Sequence, residues 1–326
     1  MKVLVLGGAG YIGSHMCKLL STQGHQVVVF DNLSTGYQEA VKWGPLVIGD
    51  VLVKADLEKL FSQHGPFDLI IHFCAKSLVG ESVKQPNEYY RNNVVGTLNL
   101  LDQMVRTGHD KLVFSSTAAV FGTPLVELID EMQPRLPINP YGQSKKMVED
   151  ILQDYFNAFG LKSVCLRYFN ACGADPDAEI GERHEPETHL IPNILKSVLN
   201  GSEQKLKVFG DLYPTADGTC VRDYIHINDL ASAHLLAGEY LDKNKGAYAF
   251  NLGNGAGFSV LDVISAAENV VGDKIPYNIK EARAGDPPVL VANAAFAKQE
   301  LGWQPQYTEI EKIIATAWRW HQNERF

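Results

Sequence analysis

The first residues of the chain place a glycine-rich loop between a buried strand and a helix. Residues 3–6 are apolar without polar alternation, which is typical of a strand buried on both faces, and helical periodicity follows over about 11–23. In the loop between them, Gly7 permits a tight turn, Gly10 lets the backbone approach a pyrophosphate, and Gly13 lets the helix pack close to the strand. The first N–H groups of the helix would then face the phosphates, so the pattern predicts a dinucleotide site.

A second apolar run, residues 26–30, ends in the acidic residue Asp31. In dinucleotide-binding sheets, an acid about twenty residues beyond the glycine loop hydrogen-bonds the hydroxyls of the adenosine ribose. Asp31 lies at about that distance, and its charge would repel the 2′-phosphate that distinguishes NADP from NAD. The sequence therefore predicts NAD as the cofactor.

Apolar runs alternate with helical segments through the first half of the chain. The predicted strands cover residues 3–6, 26–30, 46–48, 68–73, 111–115 and 163–168, and helices lie between them, notably over 87–106 and 141–159. Such alternation is typical of α/β folds with a doubly wound parallel sheet of the Rossmann type. Ligands of these sheets bind beyond the carboxyl ends of the strands, where Asp31, Asp50, Ala75 and Thr117 all lie.

The character of the sequence changes after about residue 171. Residues 173–189 are rich in charge, proline and glycine and predict a long loop, a kind of segment that is often functional. The remainder mixes short strands and helices and ends in an amphipathic helix over about 309–325. We therefore expect a dinucleotide-binding domain over 1–171, completed by part of 223–247, and a smaller α+β domain over 172–326 that binds the substrate.

Tyr141 and Lys145 lie four residues apart in a segment with helical periodicity, so their side chains should share one face. An ammonium about 4 Å from a phenol favours the phenolate by roughly 4 kcal/mol at an effective dielectric near 20. That attraction would lower the pKa of the phenol from about 10 toward neutrality, where it can remove a proton from a sugar hydroxyl. Such pairs are common on ordinary helices, but beside a dinucleotide loop this pair predicts an acid–base catalyst.

The charge balance is acidic, with 29 basic and 38 acidic residues giving a net charge of −9. This balance argues against nucleic acid or an anionic membrane as the main partner. The five cysteines are odd in number and form no Cys-x-x-Cys pair, which favours reduced thiols and a cytoplasmic location. His184 and His189 lie five residues apart with no cysteine cluster nearby, and we predict no metal site there.

Several different short motifs are distributed along the chain. They are residues 7–15 (GGAGYIGSH), 31–34 (DNLS), 49–51 (GDV), 72–73 (HF), 79–82 (VGES), 92–97 (NNVVGT), 115–122 (SSTAAVFG), 140–145 (PYGQSK), 166–170 (LRYFN) and 221–226 (VRDYIH). Together they resemble the extended short-chain dehydrogenase/reductases, and within them the 4-epimerases of UDP-hexoses. The last two motifs are the more specific, because many nucleotide-binding proteins share the glycine loop.

The resemblance implies a role for each matching residue. Thr117 would bind the sugar 4-oxygen, Tyr141 would be the acid–base, and Lys145 would hold the nicotinamide ribose and lower the pKa of the tyrosine. The matching cofactor positions are Gly7, Gly10, Tyr11, Ile12, Gly13, Asp31, Asn32, Ser34, Thr35, Gly36, Asp50, Val51, Phe73, Cys74, Ala75, Lys76, Asn92, Tyr141, Lys145 and Phe169. The matching substrate positions are Thr117, Tyr141, Asn170, His189, Leu190, Phe209, Arg222, Tyr224, Val260, Arg283, Asp286 and Leu290. Of these, Arg222 and Arg283 would bind the diphosphate, since guanidinium forks suit phosphate oxygens.

The resemblance implies reversible epimerisation at C4 of a UDP-hexose, with UDP-galactose and UDP-glucose as the default pair. The reaction would pass through a 4-keto sugar and use tightly bound NAD, in galactose metabolism or in supplying UDP-sugars for polysaccharide. Related 4,6-dehydratases usually carry an acid pair after the threonine, but here those positions are Ala118 and Ala119, whose methyl groups cannot transfer protons.

Other activities stay open at this point. They are 4-epimerisation of a UDP-pentose, a UDP-uronate or a UDP-N-acetylhexosamine and, less favoured, a non-catalytic role as an NAD-binding regulator. The resemblance further implies a homodimer that pairs through the helices over 87–106 and 141–159. It also implies that Leu290 lies beside the 2-substituent of the sugar and favours UDP-galactose over its N-acetyl analogue.

Overall fold

The computed structural model describes residues 1–201, 205–283 and 286–326. Strands and helices alternate through the first half, and each of the six predicted strands is present within two residues of its predicted ends. In chain order the elements are β1 (Lys2–Leu6), α1 (Tyr11–Thr22), β2 (Gln26–Asp31), β3 (Leu46–Ile48), α2 (Lys54–His64), β4 (Leu69–His72), α3 (Val79–Lys84), α4 (Pro86–Tyr89), α5 (Gly96–Thr107), β5 (Lys111–Ser115), β6 (Leu128–Ile129), α6 (Pro140–Phe159) and β7 (Lys162–Tyr168).

The second half consists of shorter elements, as the change in sequence character predicts. In chain order they are β8 (Asn170–Cys172), α7 (Leu190–Leu199), β9 (Leu206–Phe209), β10 (Val221–His226), α8 (Ile227–Lys243), β11 (Ala247–Leu252), β12 (Gly257–Ser259), α9 (Val260–Val271), β13 (Tyr277–Lys280), β14 (Val289–Ala292), α10 (Ala295–Leu301) and α11 (Ile310–His321).

Seven parallel strands form the main sheet, in the order β11-β7-β5-β4-β1-β2-β3. Alternate residues of β1 enter two different cores: Val3 and Val5 pack with α1 and α8, whereas Leu4 and Leu6 pack with α2, α5 and α6. Burial on both faces explains why these strands are continuous apolar runs. The predicted doubly wound parallel sheet is confirmed.

One strand of the main sheet comes from far along the chain. β11 pairs with β7, and α8, which precedes it, packs on the sheet beside α1. The sheet therefore takes in residues 247–252, beyond the 223–247 that the sequence suggested. The division into two domains at residue 171 stays a prediction.

The predicted helix over 87–106 is built from three successive segments. Between α4 and α5, residues Tyr90–Val95 form a π-helical turn, a wider turn than the α-helix. Such turns occur often at functional sites. Here the turn carries Asn93, whose buried side chain accepts a hydrogen bond from the backbone N–H of Lys76 (2.9 Å) and donates one to Ser144 Oγ (3.0 Å).

The second half has its own core and two small sheets. One sheet has the order β12-β10-β14-β6, with β8 also paired to β10, and the other pairs β13 with β9. Their core packs against α7, α9 and α11. Within the described residues, no helix combines the length and apolar character that crossing a membrane would require.

The predicted long loop over 173–189 contains no helix or strand, but side chains from both halves hold it. The hydroxyl of Tyr11, in α1, donates a hydrogen bond to the Gly173 carbonyl (2.6 Å), and the Trp320 indole, in α11, donates one to the Glu182 carbonyl (3.1 Å). The Lys18 ammonium contacts the carboxylate of Asp175 at 2.8 Å. The loop is therefore fixed between the first and last α-helices of the fold.

Candidate active site

Thr117 and Tyr141 meet where β5 ends. Thr117 follows that strand and caps a 3₁₀ turn (Ala118–Val120) by accepting a hydrogen bond from Ala119 N–H (3.1 Å). Asn139 caps α6 by accepting one from Gly142 N–H (2.8 Å), which places Tyr141 in the first turn of the helix. The Thr117 hydroxyl lies close enough to the Tyr141 phenol to act on its pKa, so the two hydroxyl groups of the catalytic assignment are neighbours.

Lys145 lies one turn further along α6 and is buried. Its ammonium donates a hydrogen bond to the Ser115 carbonyl (2.8 Å) and lies 4.6 Å from the centre of the Phe114 ring. Burial lowers the pKa of Lys145 to about 7, although the carboxylate of Glu149 opposes the shift. The lysine of this site is thus close to its titration midpoint at neutral pH.

The expected effect of this lysine on the tyrosine is not found. Burial raises the pKa of Tyr141, and the neighbouring Thr117 hydroxyl only partly opposes that rise. The prediction that Lys145 lowers this pKa toward neutrality was wrong for the chain itself. The physical reason is desolvation, which disfavours the phenolate, together with an ammonium that is directed at Ser115 and is itself partly neutral.

A buried carboxylate that sequence analysis missed supports this region. Glu149, also on α6, accepts hydrogen bonds from Ser116 Oγ (2.5 Å), from Arg167 on β7 (2.7 Å) and from Arg135 (2.9 Å). Its side chain is 3% exposed. Spacing could have revealed it, because Glu149 follows Lys145 by four residues and Tyr141 by eight, and these intervals return to the same helix face.

The glycine loop has the close approaches that the dinucleotide prediction requires. Gly7 has a φ of +80°, which favours glycine, and a Cβ on Gly13 would lie 2.1 Å from the Gly7 carbonyl oxygen. Gly10 precedes α1 without any side-chain cap, so the N–H groups at the start of this twelve-residue helix stay free for a phosphate. The loop therefore fits a dinucleotide.

Asp31 terminates β2 directly beside this loop. Its two carboxylate oxygens accept hydrogen bonds from Ala9 N–H (3.0 Å) and Leu33 N–H (2.8 Å). Burial raises the pKa of Asp31, and those N–H donors oppose the rise. Each oxygen still has a lone pair available for a ribose hydroxyl.

Most of the other predicted cofactor positions follow β2, β3 and β4, whereas Asn92 lies in the π-helical turn and Phe169 follows β7. A Cβ on Gly36 would lie 2.7 Å from the Ala9 carbonyl carbon, so the segment with Ser34 and Thr35 lies against the glycine loop. Asn32 donates a hydrogen bond to Asp50 (3.1 Å). Phe73, Cys74, Ala75 and Lys76 follow β4. The Asn92 side chain donates a hydrogen bond to the side-chain oxygen of Asn93 (3.0 Å). Val51 is buried, and Phe169 packs on the cluster of Val120, Phe121 and Ile129.

The predicted substrate residues divide into neighbouring groups. Arg222 of β10 lies opposite Leu290 of β14, and its guanidinium forms an ion pair with Asp286 (2.5 Å). The Arg283 guanidinium lies 4.3 Å from the centre of the Phe209 ring. Tyr213 lies close enough to Arg222, Asp286 and Arg283 for all three charges to act on its pKa, which burial raises. The predicted diphosphate ligands therefore share one region.

A cavity of about 690 Å³ opens beside this region, lined by residues 210–213 and 279–282. One wall begins directly after Phe209, the last residue of β9, and the other includes the end of β13. Elsewhere, Asn170 donates a hydrogen bond to the Asp223 carbonyl (2.8 Å), Tyr224 is buried and Val260 is nearly so. Leu190 begins α7 and packs against the second core.

His189 has partners that the sequence did not predict. Its Nδ1 lies 2.8 Å from Glu182 Oε1 and 3.1 Å from Glu187 Oε1, and His184 lies beside it. The structure thus joins His189 to two carboxylates and a second imidazole rather than to the arginine group. We had predicted no metal site from the histidine spacing alone, yet these four side chains could hold a metal ion.

Comparison with known proteins identifies the family. Residues 3–253 match the NAD dependent epimerase/dehydratase family. The chain belongs to this family. Its description confirms NAD as the cofactor that the glycine loop and Asp31 predict.

Relatives of similar length extend the likeness to almost the whole chain. The UDP-glucose 4-epimerase of Halalkalibacterium halodurans is 49% identical over 322 residues, which are 99% of this chain and 96% of the relative. The crystal structure of UDP-glucose 4-epimerase from Brucella ovis in complex with NAD is 48% identical, has a TM-score of 0.94 and covers 98% of this chain and 97% of its own. That of Bifidobacterium longum in complex with NAD⁺ and UDP is 38% identical, has a TM-score of 0.93 and covers 99% of each chain. This agreement confirms the predicted resemblance and the fold.

Proposed function

We propose that this protein interconverts UDP-glucose and UDP-galactose by inverting C4 of the hexose. The observation that carries the proposal is the proximity of the Thr117 and Tyr141 hydroxyls at the same sheet edge as the glycine loop and Asp31. A hydroxyl pair of this kind can hold one sugar hydroxyl and move its proton. The similarity to UDP-glucose 4-epimerases over nearly the full length supports the substrate.

The side chains divide the chemistry between them. Tyr141 removes the proton of the 4-hydroxyl group and later returns it, while Thr117 binds the same oxygen and fixes its orientation. When bound, NAD⁺ supplies a positive charge and takes up and returns the C4 hydride, so that the cycle has no net redox change. Because burial raises the pKa of Tyr141, the phenolate would need the positive charge that bound NAD⁺ supplies. Lys145, one turn further along α6, would hold the nicotinamide ribose. The 4-keto sugar formed midway must turn over before its C4 is reduced on the opposite face.

The remainder of the candidate site suits a UDP-sugar. Arg222 and Arg283 can contact a diphosphate once the nucleotide competes with Asp286 and Phe209 for their guanidinium groups. The adjacent cavity of about 690 Å³ lies within the range of small-molecule pockets. Gly7, Gly10, Gly13, Asp31 and Lys145 would hold NAD.

The residues of the same site argue against two alternative functions, those of a dehydratase and of a non-catalytic regulator. Dehydration needs an acid next to Thr117, but Ala118 and Ala119 occupy those positions. A regulator without activity would not need Tyr141 and a buried Lys145 one turn apart on α6. Epimerisation of UDP-pentoses, UDP-uronates or UDP-N-acetylhexosamines stays a secondary proposal, because the three relatives described above are named UDP-glucose 4-epimerases.

We also propose a homodimer and a cytoplasmic location. Apolar side chains stay exposed where the dimer helices were predicted, namely Val95 (46%), Met147 (39%) and Phe159 (59%). All five cysteines are free thiols, which favours a reducing compartment.

One experiment tests the activity. The purified protein is denatured to identify its released nucleotide, and the native protein is given UDP-galactose while the products and NADH are followed. We expect NAD to be released and UDP-glucose to form without accumulation of free NADH. Bound NAD with no sugar conversion would favour the regulator, a 4-keto-6-deoxy sugar would favour the dehydratase, and release of NADP would contradict the role given to Asp31.

A further inference from the structure

Four potential metal ligands converge in the loop that precedes α7. One ring nitrogen from each of His184 and His189 and one carboxylate oxygen from each of Glu182 and Glu187 all lie within 4.8 Å of one another. The nitrogen–oxygen distances are 2.8 and 3.1 Å from His189, and 3.4 and 3.7 Å from His184. Four ligands placed tetrahedrally at about 2.0–2.1 Å from a zinc ion would lie about 3.3 Å apart. The observed spacing is close to that arrangement.

Two atoms of this cluster lack the hydrogen bonds that buried polar atoms normally have. His184 Nδ1 and Glu187 Oε2 are both shielded from solvent and have no hydrogen-bond partner among the described residues. The Glu187 side chain is 6% exposed, and the nearest cations to its Oε2 are His184 at 3.7 Å and Lys196 at 3.8 Å. A buried carboxylate oxygen without a donor is costly, and a metal ion would satisfy it together with the free imidazole nitrogen.

We propose that Glu182, His184, Glu187 and His189 bind one divalent transition-metal ion, with Zn²⁺ the best match. Two imidazole nitrogens and two carboxylate oxygens are a donor set that zinc accepts. Glu182 is almost fully buried whereas the His189 side chain is 48% exposed, so an ion can enter from the His189 side. The four ligands come from eight consecutive residues, so the ion would close a short loop.

The place of this cluster in the fold indicates a structural role. The Glu182 carbonyl accepts the hydrogen bond from Trp320 of α11, and the His184 ring lies edge-on to Tyr11 of α1, with 6.3 Å between ring centres. His189 is the residue directly before α7. An ion at this point would therefore fix the end of the long loop to three helices, two of which carry predicted cofactor or substrate residues.

The competing state is a network of ion pairs without metal. In it both histidines are protonated, because the carboxylates of Glu182 and Glu187 raise the pKa of His184 to about 9 and that of His189 to about 10 against the effect of burial. A metal ion must displace those two protons. Direct measurement of metal binding therefore distinguishes the two states.

The test is a Zn²⁺ titration of the whole protein after dialysis against a chelator. Calorimetry and elemental analysis give the stoichiometry, thermal unfolding gives the stabilisation, and X-ray absorption at the zinc edge gives the ligands. We expect one tightly bound Zn²⁺ per chain, a Tm that rises with zinc concentration, and a nitrogen and oxygen shell with imidazole scattering and no sulfur.

Two variants and a control locate the site. His184→Asn and Glu187→Gln should each weaken Zn²⁺ binding at least tenfold, and Glu187→Gln preserves the shape of the side chain should the first variant fold poorly. His64→Asn, at the end of α2, changes a histidine outside the cluster and should bind Zn²⁺ like the unmodified protein. Absence of stoichiometric zinc, sulfur ligands, or unchanged affinity in both cluster variants would overturn the proposal in favour of the ion-pair network.

Discussion

At the scale of single residues, the chemistry depends on a phenol whose surroundings do not favour its ionised form. Tyr141 lies beside Thr117, and burial raises its pKa. Its neighbour Lys145 is also buried and has a pKa lowered to about 7. Burial thus disfavours the charged form of both side chains, which lie one turn apart on α6. A conservative substitution can test each of them.

Tyr141→Phe removes the proposed acid–base hydroxyl while keeping the ring. We expect turnover of UDP-galactose to fall by roughly 10² to 10⁴-fold, the usual range for a general acid–base group. NAD should stay bound, because the glycine loop and Asp31 provide its main contacts. Steady-state kinetics and nucleotide analysis of the same preparation measure the two effects. Near-normal turnover would remove Tyr141 from the mechanism.

Lys145→Met tests the buried ammonium through the pH dependence of stability. In the unfolded chain this lysine has a pKa of 10.5, but in the folded chain its pKa is about 7. Between these values the unfolded chain binds the additional proton, so the contribution of Lys145 to the free energy of unfolding rises with pH. The gain from Lys145→Met should therefore be largest at pH 6 and shrink by pH 9.

Urea unfolding at matched nucleotide content measures this difference. Lys146→Met is the control, because Lys146 lies next along α6 but its ammonium pairs with Asp150 near the surface. Its effect should be below about 1 kcal/mol and nearly independent of pH. A constant difference between the Lys145 variant and the unmodified protein would show that the lysine is not desolvated in this way.

At the scale of secondary structure elements, a buried ion pair joins α6, which carries Tyr141 and Lys145, to the main sheet. Glu149 of α6 pairs with Arg167 of β7, and these side chains are 3% and 7% exposed. The same carboxylate accepts the hydrogen bond from Ser116, the residue before Thr117. This ion pair therefore fixes the helix with Tyr141 against the segment with Thr117.

Glu149→Gln should destabilise the fold strongly, because it leaves the guanidinium of Arg167 buried without a counter-charge. Removing one partner of a buried ion pair costs about 3–5 kcal/mol. The control is Asp150→Asn, since Asp150 is 44% exposed and pairs with Arg135 and Lys146 at the protein surface. Its loss should cost less than about 1 kcal/mol. Comparable denaturant midpoints for the two variants would contradict the anchoring role.

A second element, β14, bears on the size of the sugar. Leu290 lies opposite Arg222 and packs with Val120 and Phe121, shortly after Thr117. We expect Leu290→Ser to raise activity on UDP-N-acetylgalactosamine and Leu290→Tyr to abolish it while sparing UDP-galactose. A change of one or two methylene groups corresponds to about 10 to 200-fold in specificity. The ratio of the two activities measures this effect, and an unchanged ratio would make Leu290 a core residue only.

At the scale of the whole molecule, sequence patterns predicted the main sheet better than the second half. Strands β1, β2, β4, β5 and β7 are buried on both faces, so their apolar runs identify them. β8, β12 and β14 have only three or four residues and depend on partners distant in sequence, which periodicity does not detect.

The residues of the candidate site also differ in how well sequence patterns predicted them. Residues within local motifs, such as the glycine loop and Tyr141 with Lys145, could be predicted because spacing along one element fixes their geometry. Residues joined by tertiary contacts could not: Glu149 meets Arg167 only after β7 joins the sheet, and His189 meets Glu182 only when the loop folds back. The wrong pKa prediction for Tyr141 has a related cause, because the extent of desolvation depends on the complete fold.

We expect two copies of the chain to pair through the surface formed by α6 and the π-helical turn packed beside it. Val95 and Met147 are exposed apolar residues on these elements, and a stable interface needs roughly 800 Å² from each partner. Light scattering at micromolar concentration should give twice the chain mass of 36.0 kDa. Val95→Glu combined with Met147→Glu should shift the protein to monomer, because pairing would bring four carboxylates together. Leu212→Glu, at a position that is 93% exposed outside these helices, should stay dimeric. A monomeric unmodified protein would contradict the dimer, and a double variant that stays dimeric would place the interface elsewhere.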